Sequence, residues 1–121
     1  MVLVDTSVWV DHLRRNNLGL TSLLEDRNVL CHPFVIGELA CGRLNPREEI
    51  LYQLGALPSA PLATQSEALQ FLSRHRLFEK GIGFIDLHVL ASAALDGARL
   101  WTLDKGLREA AKTLRLAFSE G

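Results

Sequence analysis

Four carboxylates in this 121-residue chain stand directly against apolar runs. Asp5 follows Val2-Leu3-Val4, Glu38 follows Pro33-Phe34-Val35-Ile36-Gly37, Asp86 follows Gly83-Phe84-Ile85, and Asp104 follows Leu100-Trp101-Thr102-Leu103. A charge carried into an apolar interior is costly unless an opposite charge meets it. The other ten acids keep polar or helix-end company, as in Glu25-Asp26-Arg27 or Arg47-Glu48-Glu49, the ordinary setting of solvated acids. The four exceptions point to one acidic, cation-binding pocket.

Close carboxylates repel one another, and without a cation some of them must take up protons. Hard oxygen donors with no paired His or Cys suit Mg²⁺ or Mn²⁺, ions that keep several waters and bridge to phosphate oxygens. Such ions acidify bound water and neutralise the charge of a phosphodiester in its transition state, so metal-assisted phosphodiester hydrolysis is the chemistry expected here. The plainer role is that of a turn or cap residue, common for an Asp after a strand. That role suits Asp5 or Asp104 singly, suits Glu38 poorly and does not explain all four together.

The elements that must position these acids alternate. Val2 to Val4 reads as a short buried strand, and the Thr6 and Ser7 hydroxyls after Asp5 are suited to cap a helix running to about Arg15. A second helix over Leu20 to Glu25, a strand over Asn28 to Cys31 and a helix opened by Pro33 follow. On that third helix Phe34, Val35, Glu38 and Cys41 are spaced along one apolar face, which turns Glu38 inward. Pro46 opens a fourth helix, Gly55 to Pro61 forms a turn-rich link, and Thr64-Gln65-Ser66-Glu67 has capping-box spacing for a helix reaching about Phe78. Gly81 and Gly83 precede a helix starting near Asp86 and ending at Asp96-Gly97. Arg99 to Leu103 is expected as a buried strand ending on Asp104, Lys105 to Leu114 as a helix, and Leu116 to Phe118 as a last short strand. This alternation implies an α/β fold with a parallel sheet flanked by helices, whose ligands bind at the carboxyl edge of the strands. Asp5 and Asp104 would end strands there, with Glu38 and Asp86 closing the ring.

A chain of this length forms one domain, here residues 1–121, with 48% apolar and 22% charged residues, a globular composition. Three apolar residues before Asp5, with no basic leader, make no secretory signal, and the longest apolar stretch, Ile82 to Leu95, is too short and too interrupted to span a membrane. A cytoplasmic location is the expectation. Cys31 and Cys41 form no CxxC pair and read as reduced core cysteines; with His32 they lack a fourth zinc ligand at regular spacing. The net charge is −1, and setting the four acids aside leaves +3, with ten arginines among the thirteen basic residues, so the balance permits a nucleic-acid partner. Arg14-Arg15 and the Arg74-His75-Arg76 run are the candidate RNA-backbone contacts, weighed against the commoner role of solvated helix-end charges. His88 is expected as a packed histidine, Trp9 as core or dimer interface, and Asp11 as a solvated helix residue.

Taken in order, Asp5-Thr6-Ser7-Val8-Trp9-Val10-Asp11, Glu38-Leu39-Ala40-Cys41-Gly42, Asp86-Leu87-His88-Val89-Leu90-Ala91 and Thr102-Leu103-Asp104-Lys105-Gly106-Leu107 resemble the PIN domains, especially the VapC toxins. The likeness runs from Val2 to Leu107. It implies a PIN-like fold and a Mg²⁺-dependent (or Mn²⁺-dependent) endoribonuclease. Its catalytic and metal-binding acids would be Asp5, Glu38, Asp86 and Asp104, with Thr6, Ser7 and Thr102 as polar supports. It implies neutralisation by a VapB-type antitoxin and commonly a homodimer. Leu107, where the family often has an aromatic, is a departure that concerns packing. Two other classes remain open to the sequence: a receiver-like Mg²⁺-binding signalling domain, disfavoured because Asp5 lacks a paired acid, and a non-catalytic PIN-like binding module, disfavoured by the full set of acids.

Overall fold

Three short parallel strands carry the centre of the molecule. The computed structural model describes residues 1–120. In order, the elements are β1 (Val2–Val4), α1 (Thr6–Arg15), α2 (Leu18–Glu25), β2 (Val29–Leu30), α3 (Pro33–Ala40), α4 (Arg47–Gly55), α5 (Gln65–Arg74), α6 (Phe84–Asp96), β3 (Arg99–Trp101) and α7 (Lys105–Thr113), with a single 3₁₀ turn at Leu77–Glu79. The sheet order is β2-β1-β3, all parallel, with Leu3 opposite both Leu30 and Leu100. Parallel strands covered on both faces read as continuous apolar runs, and β1 is buried along its whole length. The core joins Val4, Val8, Leu20, Val35, Leu90, Leu100 and Leu107, so the sheet, α1, α3, α6 and α7 share one interior.

Several boundaries differ from the sequence expectation, each for a local reason. The α5 helix, with its Thr64–Glu67 capping box in place, stops at Arg74 instead of running to Phe78. Arg76 adopts a left-handed conformation with φ 52°, and the turn that follows buries Leu77 completely. The sixth helix begins at Phe84 rather than near Asp86, capped by the backbone of Gly83, so Asp86 falls in its first turn. β3 ends at Trp101, two residues short of Leu103, and Asp104 does not end a strand: it is the N-cap of α7. The expected Leu116–Phe118 strand is reduced to one parallel bridge, Leu100 to Ala117, because the chain reaches it straight from the left-handed Arg115 after α7. A matching bridge between Cys31 and Ser59 puts the Gly55–Pro61 link on the opposite sheet edge.

Cys31 is buried, and burial pushes its thiol up to about 11; Cys41 is exposed, against the expectation of two core cysteines. That correction shares its cause with Glu38. The inward seam of α3 is Val35 and Leu39, an i, i+4 pair, whereas Phe34, Glu38 and Cys41, spaced i, i+4, i+7, are all exposed. The apolar stripe is displaced by one residue from the one read in the sequence, so Glu38 faces an open cleft and not the core.

Candidate active site

The site is assembled where β1 and β3 run out at the same edge. Asp5 immediately follows β1, and its backbone N–H continues the sheet by donating to the Trp101 carbonyl at 2.9 Å. Its side chain is 5% exposed and makes no helix-capping bond, so its carboxylate is free for other partners. The expected capping by Thr6 and Ser7 does not occur either. Their hydroxyls serve the acids: Thr6 Oγ1 donates to Glu38 Oε1 at 2.6 Å, and Ser7 Oγ donates to Asp5 Oδ2 at 3.0 Å.

From the other side, Thr102 Oγ1 donates to the same Asp5 oxygen at 2.7 Å. Each hydroxyl also accepts a backbone N–H from the β3–α7 loop, Ser7 Oγ from Leu103 at 2.9 Å and Thr102 Oγ1 from Asp104 at 3.0 Å. The buried Asp5 charge is met by these two O–H donors, and the same bonds fix the loop that presents Asp104. Asp104 Oδ2 accepts the Leu107 N–H at 2.8 Å, so this acid is a helix cap as well as a wall of the cleft. Leu107 itself is fully buried, so an aliphatic residue fills the packing position where the resemblance led us to expect an aromatic.

Asp86 is half-buried in the first turn of α6. Burial, followed by the charges of Asp5, Asp104 and Glu38, pushes its carboxyl up to about 6. The charges of the other three acids therefore all reach Asp86. Among the described residues, no three Asp, Glu, His or Cys side chains stand close enough together to hold a metal ion as they are placed. The donor set still fits a hard cation: Mg²⁺ is commonly held by one or two carboxylates with waters completing its octahedron, and mutual repulsion among four acids is the condition a divalent ion relieves. Cys31 and His32 are both buried in the core.

His32 accepts the Phe34 N–H on Nδ1 at 3.0 Å, which leaves the proton on Nε2, 3.1 Å from Ser92 Oγ. Burial, with the nearby His88, holds it down to about 4, so it is a neutral core residue. His88 is buried and packed between the rings of Phe34 and Phe84, at 5.1 and 4.6 Å between centroids, and takes no part in the acidic cleft. Trp9 is buried in the core. Asp11, expected as solvated, is bound by Arg15 Nε at 2.6 Å and Asn17 Nδ2 at 3.0 Å, contacts that hold its carboxyl below the usual range.

The four arginines singled out in the sequence are exposed but not equivalent. Arg15 is paired with Asp11, and Arg76 is paired with Glu79 and stacked over Phe78. Arg14 and Arg74 have no ion pair among the described residues. Of the four, only Arg14 lines a groove that includes one of the acids, a space of about 490 Å³ whose wall contains Thr6 and Glu38. Arg43, which the sequence reading passed over, lines the same groove. Its only signal in the sequence is its place just after the Glu38–Gly42 segment.

Comparison with known proteins agrees with this architecture. The PIN domain family model matches residues 2–113. Ribonuclease VapC32 of Mycobacterium tuberculosis, from strains CDC 1551 and H37Rv, is 45% identical over 121 residues, covering 99% of this chain and 98% of that protein. Among solved structures, FitAcB from Neisseria gonorrhoeae superposes with a TM-score of 0.67 at 20% identity, covering 99% of this chain and 98% of that one. PAE2754 from Pyrobaculum aerophilum superposes with a TM-score of 0.62 at 19% identity, covering 95% and 88%. The fold, the match over nearly the whole chain and the close relative leave no place for the receiver-like alternative, and the chain belongs to the PIN-domain family, within its VapC group.

Proposed function

We propose that this protein is a divalent-metal-dependent endoribonuclease acting as the toxin of a toxin–antitoxin pair. The observation that carries the reading is the hydroxyl network that holds Asp5, Glu38 and Asp104 at the sheet edge, with Asp86 near enough for all three charges to raise its carboxyl. Four acids facing one cleft, with no plausible nucleophile–base pair beside them, favour hydrolysis by an activated water. The ribonuclease name of the 45% identical relative supports RNA as the substrate.

In this reading Asp5, Glu38, Asp86 and Asp104 would hold Mg²⁺ or Mn²⁺, which would supply an acidified water and neutralise charge on the scissile phosphate. The chain's own residues do the rest. Ser7 and Thr102 aim Asp5 by donating to its Oδ2, and they keep Asp104 in place through the loop backbone. Thr6 orients Glu38 from α1. Asp86, whose carboxyl is raised by burial and by the other three acids, is the acid whose charge a bound cation would relieve most.

A VapB-type antitoxin is the partner we assign, because an unrestrained ribonuclease is harmful to its own cell. A homodimer is the assembly we assign, with the exposed rings of Phe34 and Phe84 available for contact. Purified protein, freed of any partner, should cleave single-stranded or loop RNA in Mg²⁺ or Mn²⁺ and not in excess EDTA; undiminished cleavage in EDTA would sink the metal mechanism. Expression alone should arrest growth, and co-expression of the adjacent small gene should restore it.

A further inference from the structure

The groove beside Glu38 is a built cavity that the hydrolysis itself does not require. Its apolar wall is formed by Val10, Leu39, Leu44 and Ile50, contributed by α1, α3, the following loop and α4. Leu39 is buried and the other three are half-buried, so the wall is fixed by the core behind it. Arg47 Nη1 donates to the Gly42 carbonyl at 3.4 Å, tying the loop to the start of α4. The groove opens onto the catalytic cleft, since Thr6 and Glu38 belong to both.

We propose that this groove is a nucleobase pocket: it receives an unstacked base next to the scissile phosphate of the RNA, while Arg14 and Arg43 hold the phosphates on either side of that base. The proposal rests on the nuclease reading above and deepens it by placing a specificity determinant. A purely electrostatic RNA track would be polar, whereas a base needs an apolar wall with cations at its margin. That combination is present here: both arginines are exposed and neither is ion-paired among the described residues, in contrast to Arg15 and Arg76. At about 490 Å³ the groove has room for a base with its sugar and no room for a stacked duplex. Single-stranded segments are the class of RNA whose bases can be splayed out in this way.

Gly42 offers a way to close the pocket without touching an acid. A Cβ built there meets only the Leu39 carbonyl oxygen, at the ordinary contact distance of 3.5 Å, so a side chain can start there without a clash and Gly42→Leu extends one beside the groove. The experiment sequences the ends of a randomised single-stranded RNA cut by the purified protein in Mg²⁺, then compares cleavage of a preferred RNA with the same RNA carrying an abasic nucleotide beside the cut. Wild type should show a base preference next to the cut and lose about tenfold in kcat/KM on the abasic RNA. Gly42→Leu should flatten that preference and cut the two RNAs at nearly equal rates. Arg14→Ala and Arg43→Ala should each weaken binding of an uncleavable RNA and lower the slope of log affinity against log salt by about one.

Equal cleavage of abasic and intact RNA by wild type overturns the pocket, as does an unchanged preference in folded Gly42→Leu. A groove reserved for a protein partner would leave both the base preference and the two salt slopes unmoved, which also overturns it. Should Gly42→Leu fail to fold, the abasic comparison and the two arginine variants decide alone. Absence of any metal-dependent cleavage by wild type defeats the nuclease reading instead, so the two failures are distinguishable.

Discussion

Asp86 and Asp104 carry opposite lessons about how an acid is tuned. Asp86 is raised from 3.8 to about 6 in the folded chain. Between those values the folded protein holds a proton that the unfolded chain has released, so raising the pH through this window costs stability, and above about 6 the cost is complete. In EDTA the melting temperature should therefore fall as pH rises from about 4 to about 6.5. Asp86→Asn should flatten that slope, with a gain of about 1 kcal/mol at neutral pH after allowance for solvent screening. Metal affinity should rise through the same window, because the cation competes with the proton; a metal affinity independent of pH would contradict the assignment of Asp86 to the cation. Asp104 differs because its Oδ2 already caps α7. Asn caps a helix about as well as Asp, whereas Ala does not, at a cost of about 1 kcal/mol. Asp104→Asn should therefore melt in EDTA at or above the wild-type temperature while losing about 100-fold or more in cleavage, and Asp104→Ala should lose both. Near-normal cleavage by a folded Asp104→Asn protein would leave this acid as a cap and nothing more.

At the scale of elements, the β1–α1 and β3–α7 junctions are joined by side chains beyond the last backbone bond, from the Asp5 N–H to the Trp101 carbonyl. Thr102 is the linchpin, buried at 3% exposure, donating to Asp5 and accepting from the Asp104 backbone. Thr102→Val keeps the shape and removes both bonds, leaving a buried carboxylate under-satisfied and a backbone N–H without its partner. The expected cost is about 1–3 kcal/mol in the melt, together with a loss of about 10–100-fold in Mg²⁺ affinity; thermal melts in EDTA and a metal titration of the same preparation measure the two. A loss of stability with unchanged metal affinity would make Thr102 a purely structural tie. This junction also shows how far the sequence could be read. Alternation of strands and helices, Pro33 at a helix start and the Thr64 capping box are local signals, written in adjacent residues, and the structure has them. The hydroxyl bonds from Thr6 to Glu38 and from Thr102 to Asp5 span 32 and 97 residues, and no local pattern encodes them. Thr6 and Ser7 were thus legible as capping residues in type but not in use. Glu38 was misplaced inward because Phe34 and Val35 both look apolar, and only packing against α1 and α6 decides which of them faces the core. The early stop of α5 follows from burying Leu77, again a tertiary demand.

Viewed whole, the molecule is nearly neutral yet polarised, with a net charge of −1 although four of its fourteen acids gather around Asp86. Such a cleft repels RNA until something neutralises it, while Arg14 and Arg43 sit at its margin to hold phosphates once it is neutral. Divalent metal should then act on binding as well as on chemistry. RNA made resistant to cleavage at every phosphodiester should bind more tightly in Mg²⁺ than in EDTA when ionic strength is matched with K⁺, since general screening alone weakens protein–RNA attraction. Titration by fluorescence anisotropy reads this directly. The gain should shrink in Asp86→Asn, which starts with one charge fewer, and Arg14→Ala should weaken binding in both conditions alike. Equal affinities in EDTA and Mg²⁺ at matched ionic strength would mean that the bound RNA does not pass over the acids, and the cleft could not then be where its backbone is cut.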